Sequence, residues 1–190
     1  MAKKITAKEL RKKGIKETLI PGILFVSILG AGWMTKLGVD IYKIKSLFPS
    51  TAVVRIVEDG DTLELFNDRR VRLIGINAPD RGEKGYVEAT KKLSELVLNK
   101  KVYLEYDRYQ DDQNGRALAW VWIGCEKPKF EKSDYMRLTF NRSREGLVNN
   151  PKGCEKGKLV QEELVKAKMA VVEVYKDRGE LKYEVRLRAQ

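Results

Sequence analysis

The chain contains no histidine. Imidazole is the usual neutral-pH acid–base group and a common metal ligand. Its absence removes Ser-His-Asp triads, histidine acid–base pairs and zinc sites with His ligands together. Cysteine is scarce as well. Cys125 and Cys154 are the two present, without CxxC spacing, which excludes a cysteine zinc cluster or a dithiol redox motif. No internal repeat is visible. Catalysis by this chain must run on carboxylates, arginines, a hydroxyl or a hard metal ion.

What is present is 190 residues, enough for one domain with a real core plus an appendage. Apolar residues at 43% and charged ones at 34% are ordinary for a folded domain and argue against general disorder. The net charge of +11 is uneven: residues 1–50 carry ten Lys/Arg against three Asp/Glu, residues 51–190 twenty-eight against twenty-four. Most of the basic excess therefore belongs to the N-terminal segment. The modest cationic bias of the remainder is compatible with a polyanionic substrate.

Residues 1–17, "MAKKITAKELRKKGIKE", are a basic opening that precedes an uncharged run from Thr18 to Thr35. That run reaches the lower edge of a bilayer span. Lys3, Lys4, Lys8, Arg11, Lys12, Lys13 and Lys16 would hold the N-terminus on the cytoplasmic side. The expectation is a transmembrane anchor at 18–35, making the membrane a partner and placing the domain outside the cytoplasm. A cleaved signal with a secreted product and a soluble helix are the alternatives. Residues 36–50 read as a mixed juncture closing at Pro49.

From Thr51 the pattern changes to short β-rich runs: "AVVRIV", "TLELF" and "VRLIGI", joined by the turn-forming "EDGD" and "NDRR". "YVEATKKLSELVLN" (86–99) places Tyr86, Ala89, Leu93 and Leu96/Val97 at helical spacing. "VYLEY" and "ALAWVWI" return to strand. "KLVQEELVKAKM" repeats the helical pattern with Val160, Leu164 and Ala167, and "GELKYEVRLRAQ" predicts a last helix with Leu181 and Val185 on one side. This order predicts an α+β fold over 51–190, a small five-stranded barrel with about three packed helices.

A polar excursion, 126–153, interrupts the domain between Cys125 and Cys154. Cysteines at its two ends suggest a disulfide at the base of the loop, worth about 3.6 kcal/mol by chain entropy. Two free thiols are the alternative if the domain is cytosolic. Tyr135, Met136, Leu138 and Phe140 inside the excursion either dock on a partner or pack back on the barrel.

The stretch "IVEDGDTLELFNDRRVRLIGINAPDRG" (56–82) concentrates unusual chemistry. Asp59 and Asp61 sit at one strand end, Arg72 comes from a later strand, and Asn77 and Asp80 leave that strand through the proline-stiffened "NAPD". A second arginine, Arg116, follows the turn "DDQNG". In this order and spacing "EDGDT", "VRLIGINAPD", "NGRALAWVW" and "LVQEELVKAKMAVV" resemble the staphylococcal nuclease (thermonuclease-like) family over roughly 51–188.

The resemblance implies an OB-fold barrel and a calcium-dependent phosphodiesterase acting on DNA and RNA. By that resemblance Asp61 and Asn77 hold calcium with the Ala78 backbone carbonyl, and Asp59 is an additional acidic candidate. Arg72 and Arg116 grip the phosphate, Asp80 positions or deprotonates the attacking water, and Tyr175 lies nearest the substrate-pocket tyrosines. Guanidinium forks suit phosphate oxygens, and calcium takes oxygen ligands alone. Two positions depart from the family pattern: Asn77 stands where a carboxylate is usual, and Asp80 where a glutamate is usual. Those departures keep a second reading open, a barrel that binds nucleic acid without cutting it. A third reading makes the charged hairpin incidental. No obligate protein partner is evident.

Overall fold

The computed structural model describes residues 7–14, 19–130, 146–174 and 180–190, and separates into the units Met1–Ser46 and Leu47–Gln190. In the larger unit β1 (Thr51–Val57) turns through residues 58–61 into β2 (Thr62–Leu65), with Val54 opposite Leu65 and Val57 opposite Leu63. A second tight turn, with Asp68 at φ 60°, leads to β3 (Arg70–Leu73), where Arg72 lies opposite Thr62. The short β4 (Ile76–Asn77) and α3 (Tyr86–Val97) follow. β5 (Lys101–Glu105) pairs with β1, and β6 (Ala117–Ile123) pairs with β5.

β6 also runs parallel to β3, with Leu118 opposite Arg72, so the five long strands close into a barrel. Closure leaves no open edge between the first and last strands. β7 (Lys158–Leu159) adds to β6 and runs into α4 (Val160–Lys166). β8 (Val171–Val172) then pairs with β4, and α5 (Glu184–Arg188) ends the chain's described structure. The α+β class, the closed five-stranded barrel and its three helices match the sequence expectation and are consistent with an OB-fold.

Alternation of side chains makes the core. Val54, Leu63, Leu65, Val71, Leu73, Val102, Leu104, Trp120 and Trp122 point inward, and α3 closes over them with Ala89, Leu93 and Val97. Each such side chain contributes roughly 1.5–3 kcal/mol of apolar burial. α4 is fastened by one buried amide. Gln161 accepts from the Val121 N–H and donates to the Ala119 carbonyl, so it pairs with barrel backbone.

Three expectations need correcting or bounding. First, among the described residues no helix is long and apolar enough to cross a membrane, so the anchor at 18–35 is not found. The observed element is α2 (Ile20–Leu47), which follows the short α1 (Ala7–Lys12) and takes in Lys36, Asp40, Lys43 and Lys45 of the expected juncture. Nothing after Thr35 breaks a helix until Pro49 disfavours helical geometry at Phe48. Second, Val185 is exposed while Leu187, Tyr183 and Leu181 are buried, because the last helix is only Glu184–Arg188 and a different side faces the barrel. Third, Tyr175 and residues 131–145, including Tyr135, Met136, Leu138 and Phe140, lie outside the described residues.

Cys125 and Cys154 form a disulfide across 29 residues, with Cα atoms 4.3 Å apart. Asn150 donates to the carbonyls of Cys154 and Gly157 just beside it, which braces the base of the excursion next to the disulfide.

Candidate active site

The site begins with a glycine that cannot be anything larger. A Cβ on Gly60 would stand 2.6 Å from the Ala78 Cβ and 2.7 Å from the Ala89 Cβ. The "EDGDT" turn is therefore wedged between the segment after β4 and helix α3. Asp59 braces this turn by accepting the Asp61 N–H at 3.0 Å. Such an Asx turn is what short acidic side chains do locally.

Asp61 is 3% exposed and fully engaged. Its Oδ1 accepts from Arg72 Nη1 at 2.7 Å and from the Thr62 hydroxyl at 3.0 Å, and its Oδ2 accepts the Ala78 N–H at 3.0 Å. Burial pushes the Asp61 carboxyl above the ordinary carboxylate range, with the Asp59 charge adding to the rise. The Ala78 N–H and Arg72 guanidinium offset part of it.

Arg72 projects from β3, opposite Thr62. Its Nη2 donates to Asn77 Oδ1 at 2.8 Å and lies 3.8 Å from Glu173 Oε2. Arg116 reaches the same group from the start of β6. Its Nη1 donates to the Thr62 hydroxyl at 3.3 Å, and its Nε donates to Asp112 Oδ2 at 2.7 Å. Asp112 also accepts the backbone N–H groups of Arg116 and Asn114, at 2.9 Å each. Burial pushes the Asp112 carboxyl up, but the Arg116 N–H and guanidinium outweigh it and hold it below the usual range.

Asp61, Asn77, Arg72 and Arg116 thus meet in one hydrogen-bonded chain although they come from four places in the sequence. Asp59 stands beside it as the turn brace. For Ala78 it is the N–H that reaches Asp61. Asp80 is exposed, and its backbone N–H donates to Glu83 Oε2 at 2.8 Å. Among the described residues no hydrogen bond or ion pair joins the Asp80 carboxylate to Arg72, Asp61 or Arg116.

Sequence reasoning missed Thr62, Asp112 and Glu173. The Asp112 signal was present, an Asx-turn aspartate four residues before Arg116. Thr62 was visible as the last letter of "EDGDT" but carried no stated job. Glu173 had no local signal, because only the pairing of β8 with β4 carries it to Arg72.

The oxygens here suit a hard cation in kind: a carboxylate and an amide oxygen converge on the cationic Arg72, accepting from it at 2.7 and 2.8 Å. Among the described residues no group of three or more acidic, His or Cys side chains is placed to hold a metal.

Comparison with known proteins points one way. Residues 70–190 match the family model described as staphylococcal nuclease homologue. A thermonuclease of Staphylococcus intermedius is 35% identical over 129 residues, which is 62% of this chain and 73% of that protein. A thermonuclease of Staphylococcus hyicus is 31% identical over 147 residues, 68% of this chain and 84% of that protein. A micrococcal nuclease of Shigella flexneri is 37% identical over 82 residues, 40% of this chain and 44% of that protein.

Proposed function

We propose a reaction from the premise that this chain belongs to the staphylococcal nuclease family and is a nuclease: calcium-supported hydrolysis of phosphodiester bonds in DNA, RNA or both. The observation that carries the proposal is the link from Arg72 through Asp61 and the Thr62 hydroxyl to Arg116, which directs two guanidinium groups at one place. Both arginines keep part of their side chains open to solvent, at 17% each.

In this reading Arg72 and Arg116 bind the non-bridging phosphate oxygens and hold the charge that grows on them during attack. Asp112 keeps the Arg116 fork oriented, and Asp61 does the same for Arg72. A phosphate entering the site replaces the Asn77 amide on Arg72, a neutral partner that is easier to displace than a carboxylate. Asp61, Asn77 and the Ala78 carbonyl, with Asp59 nearby, would hold calcium, which when bound neutralises phosphate charge and orients water. Asn77 provides an oxygen without a charge, so weak calcium binding is expected. The resemblance assigns the attacking water's proton to Asp80.

Full-length protein incubated with DNA in millimolar calcium should cleave it, and chelator should stop the reaction. Cleavage that survives both chelator and Arg72→Ala would overturn this proposal. The second reading, binding without turnover, draws support from Asn77 and Asp80, which stand where the family pattern has a second calcium carboxylate and a glutamate. Salt-sensitive binding with no cleavage under any divalent ion would select it.

The compartment is a proposal as well. The Cys125–Cys154 disulfide supports an oxidising location, outside the cytoplasm. Exposed Phe25, Val26, Ile28, Leu29 and Trp33 support attachment to a membrane, with secretion as the alternative. Fractionation should place the full chain with membranes; recovery from the medium alone would mean secretion.

A further inference from the structure

The arrangement around Arg72 contains a carboxylate that the family pattern does not call for. We propose that Glu173, rather than Asp80, accepts the proton of the attacking water. This rests on the nuclease reading above and adds a residue to the same site.

Three carboxylates are candidates, and geometry separates them. Asp61 cannot serve: it is buried, and three hydrogen bonds already occupy its oxygens. Asp80 belongs to an exposed turn in which its carbonyl accepts the Glu83 N–H at 2.9 Å, and its carboxylate makes no described bond to the arginines. Glu173 stands 3.8 Å from Arg72 Nη2, the nitrogen that also donates to Asn77. Its side chain is 37% exposed, so water can reach it.

The position of Glu173 is also well held. The Ile76–Val172 and Asn77–Val171 pairs fix β8 against β4, and the Glu173 N–H donates to the Gly75 carbonyl at 3.0 Å. Gly75 has φ 80°, and a Cβ there would stand 2.7 Å from Trp120 Cη2, so this bend requires glycine. A phosphate held by Arg72 would place its phosphorus beside the Glu173 carboxylate. A negative group at that position opposes phosphate binding unless it does work in the reaction. Accepting a proton is such work, since it removes the repulsion as the reaction proceeds.

The step balances. The water oxygen forms a bond to phosphorus while Glu173 takes a proton from that water. The bond from phosphorus to the leaving sugar oxygen breaks, that oxygen gains a proton from solvent, and Glu173 returns its own proton to solvent.

The test uses the full chain and a DNA oligonucleotide in calcium, with Glu173→Gln, Glu173→Asp and Asp80→Asn. Glu173→Gln should lower kcat about 10²–10⁴-fold, with KM and oligonucleotide binding in chelator changed by less than about threefold. Glu173→Asp should fall between, and Asp80→Asn should lower kcat less than Glu173→Gln does. Melting curves identify any variant that misfolds, in which case Glu173→Asp, which keeps the charge, carries the comparison. Wild-type kcat in Glu173→Gln, a loss confined to KM, or a larger loss of kcat in Asp80→Asn than in Glu173→Gln would each overturn the proposal while leaving the nuclease reading intact. A parent protein that binds but never cleaves would overturn both.

Discussion

Two carboxylate–cation networks occupy the same barrel, and they are built for opposite ends. In the first, Lys182 is 2% exposed and Glu105 is 3% exposed. Lys182 Nζ donates to Glu105 Oε1 at 3.2 Å and to the Tyr106 carbonyl at 2.7 Å, while Glu105 Oε2 accepts from Trp122 Nε1 and the Tyr183 hydroxyl. Asp107 Oδ2 accepts from Trp120 Nε1 and the Lys182 N–H. Every group in that set has partners, and the cation is sealed in. In the second, Asp61 is just as buried, but Arg72 and Arg116 each keep 17% of the side chain exposed and one of their partners is a neutral amide. The lesson is about satisfaction: a closed network specifies the fold, whereas one left open on a single side can take a ligand.

The comparison can be broken from either end, and the largest effect should come from the closed side. Lys182→Met strands the Glu105 charge in the core and should cost about 3–5 kcal/mol in urea denaturation. Cleavage per folded molecule should hardly change. On the open side, Arg72→Lys should lower kcat about 10²–10³-fold, or roughly 2.7–4 kcal/mol of barrier, with little change in melting temperature. If Arg72→Lys unfolds the protein or Lys182→Met abolishes chemistry, the division between the networks fails.

Removing the disulfide tests a third kind of constraint, one that belongs to neither network. Cys125→Ser with Cys154→Ser should cost about 2–4 kcal/mol by chain entropy and leave kcat near the parent value. Denaturant titration with and without reductant checks it.

The smallest effect sharpens the contrast through pH. Burial raises the Asp61 carboxyl, so the folded state prefers it protonated, and ionising it costs stability as pH rises from its unfolded value through its folded one. The melting temperature of Asp61→Asn relative to the parent should therefore rise as pH goes from acid to neutral. Asp112 runs the other way: its depressed carboxyl stabilises the fold above the ordinary aspartate range, and that contribution is lost as pH falls through its lowered value. Melting temperatures across acid to neutral pH would show whether the two signs are as stated.

Much of the barrel was legible along the chain. The β-branched run "AVVRIV", the alternation in "TLELF" and the Asp-Gly turn between them specify a hairpin with few competitors, because strand preference and turn geometry act over adjacent residues. Helix α3 was legible for the same reason, its apolar residues recurring on one side. The run 18–35 misled: an uncharged stretch records hydropathy, and nothing in it shows where the helix stops. Val185 misled because a five-residue helix has too few turns for its buried side to be inferred from spacing.

What the sequence determined by itself, then, was the absence of imidazole chemistry, the turns and strands, and the set of oxygens and guanidiniums available. What the tertiary structure decided was which of them meet. Arg116 joins Arg72 only because β6 closes the barrel against β3, and Glu173 joins it only because β8 pairs with β4. Separation along a chain carries no information about distance once strands remote in sequence share hydrogen bonds. For the same reason Asp80, nearer to Arg72 in sequence, stands apart from the network that the more distant Glu173 enters.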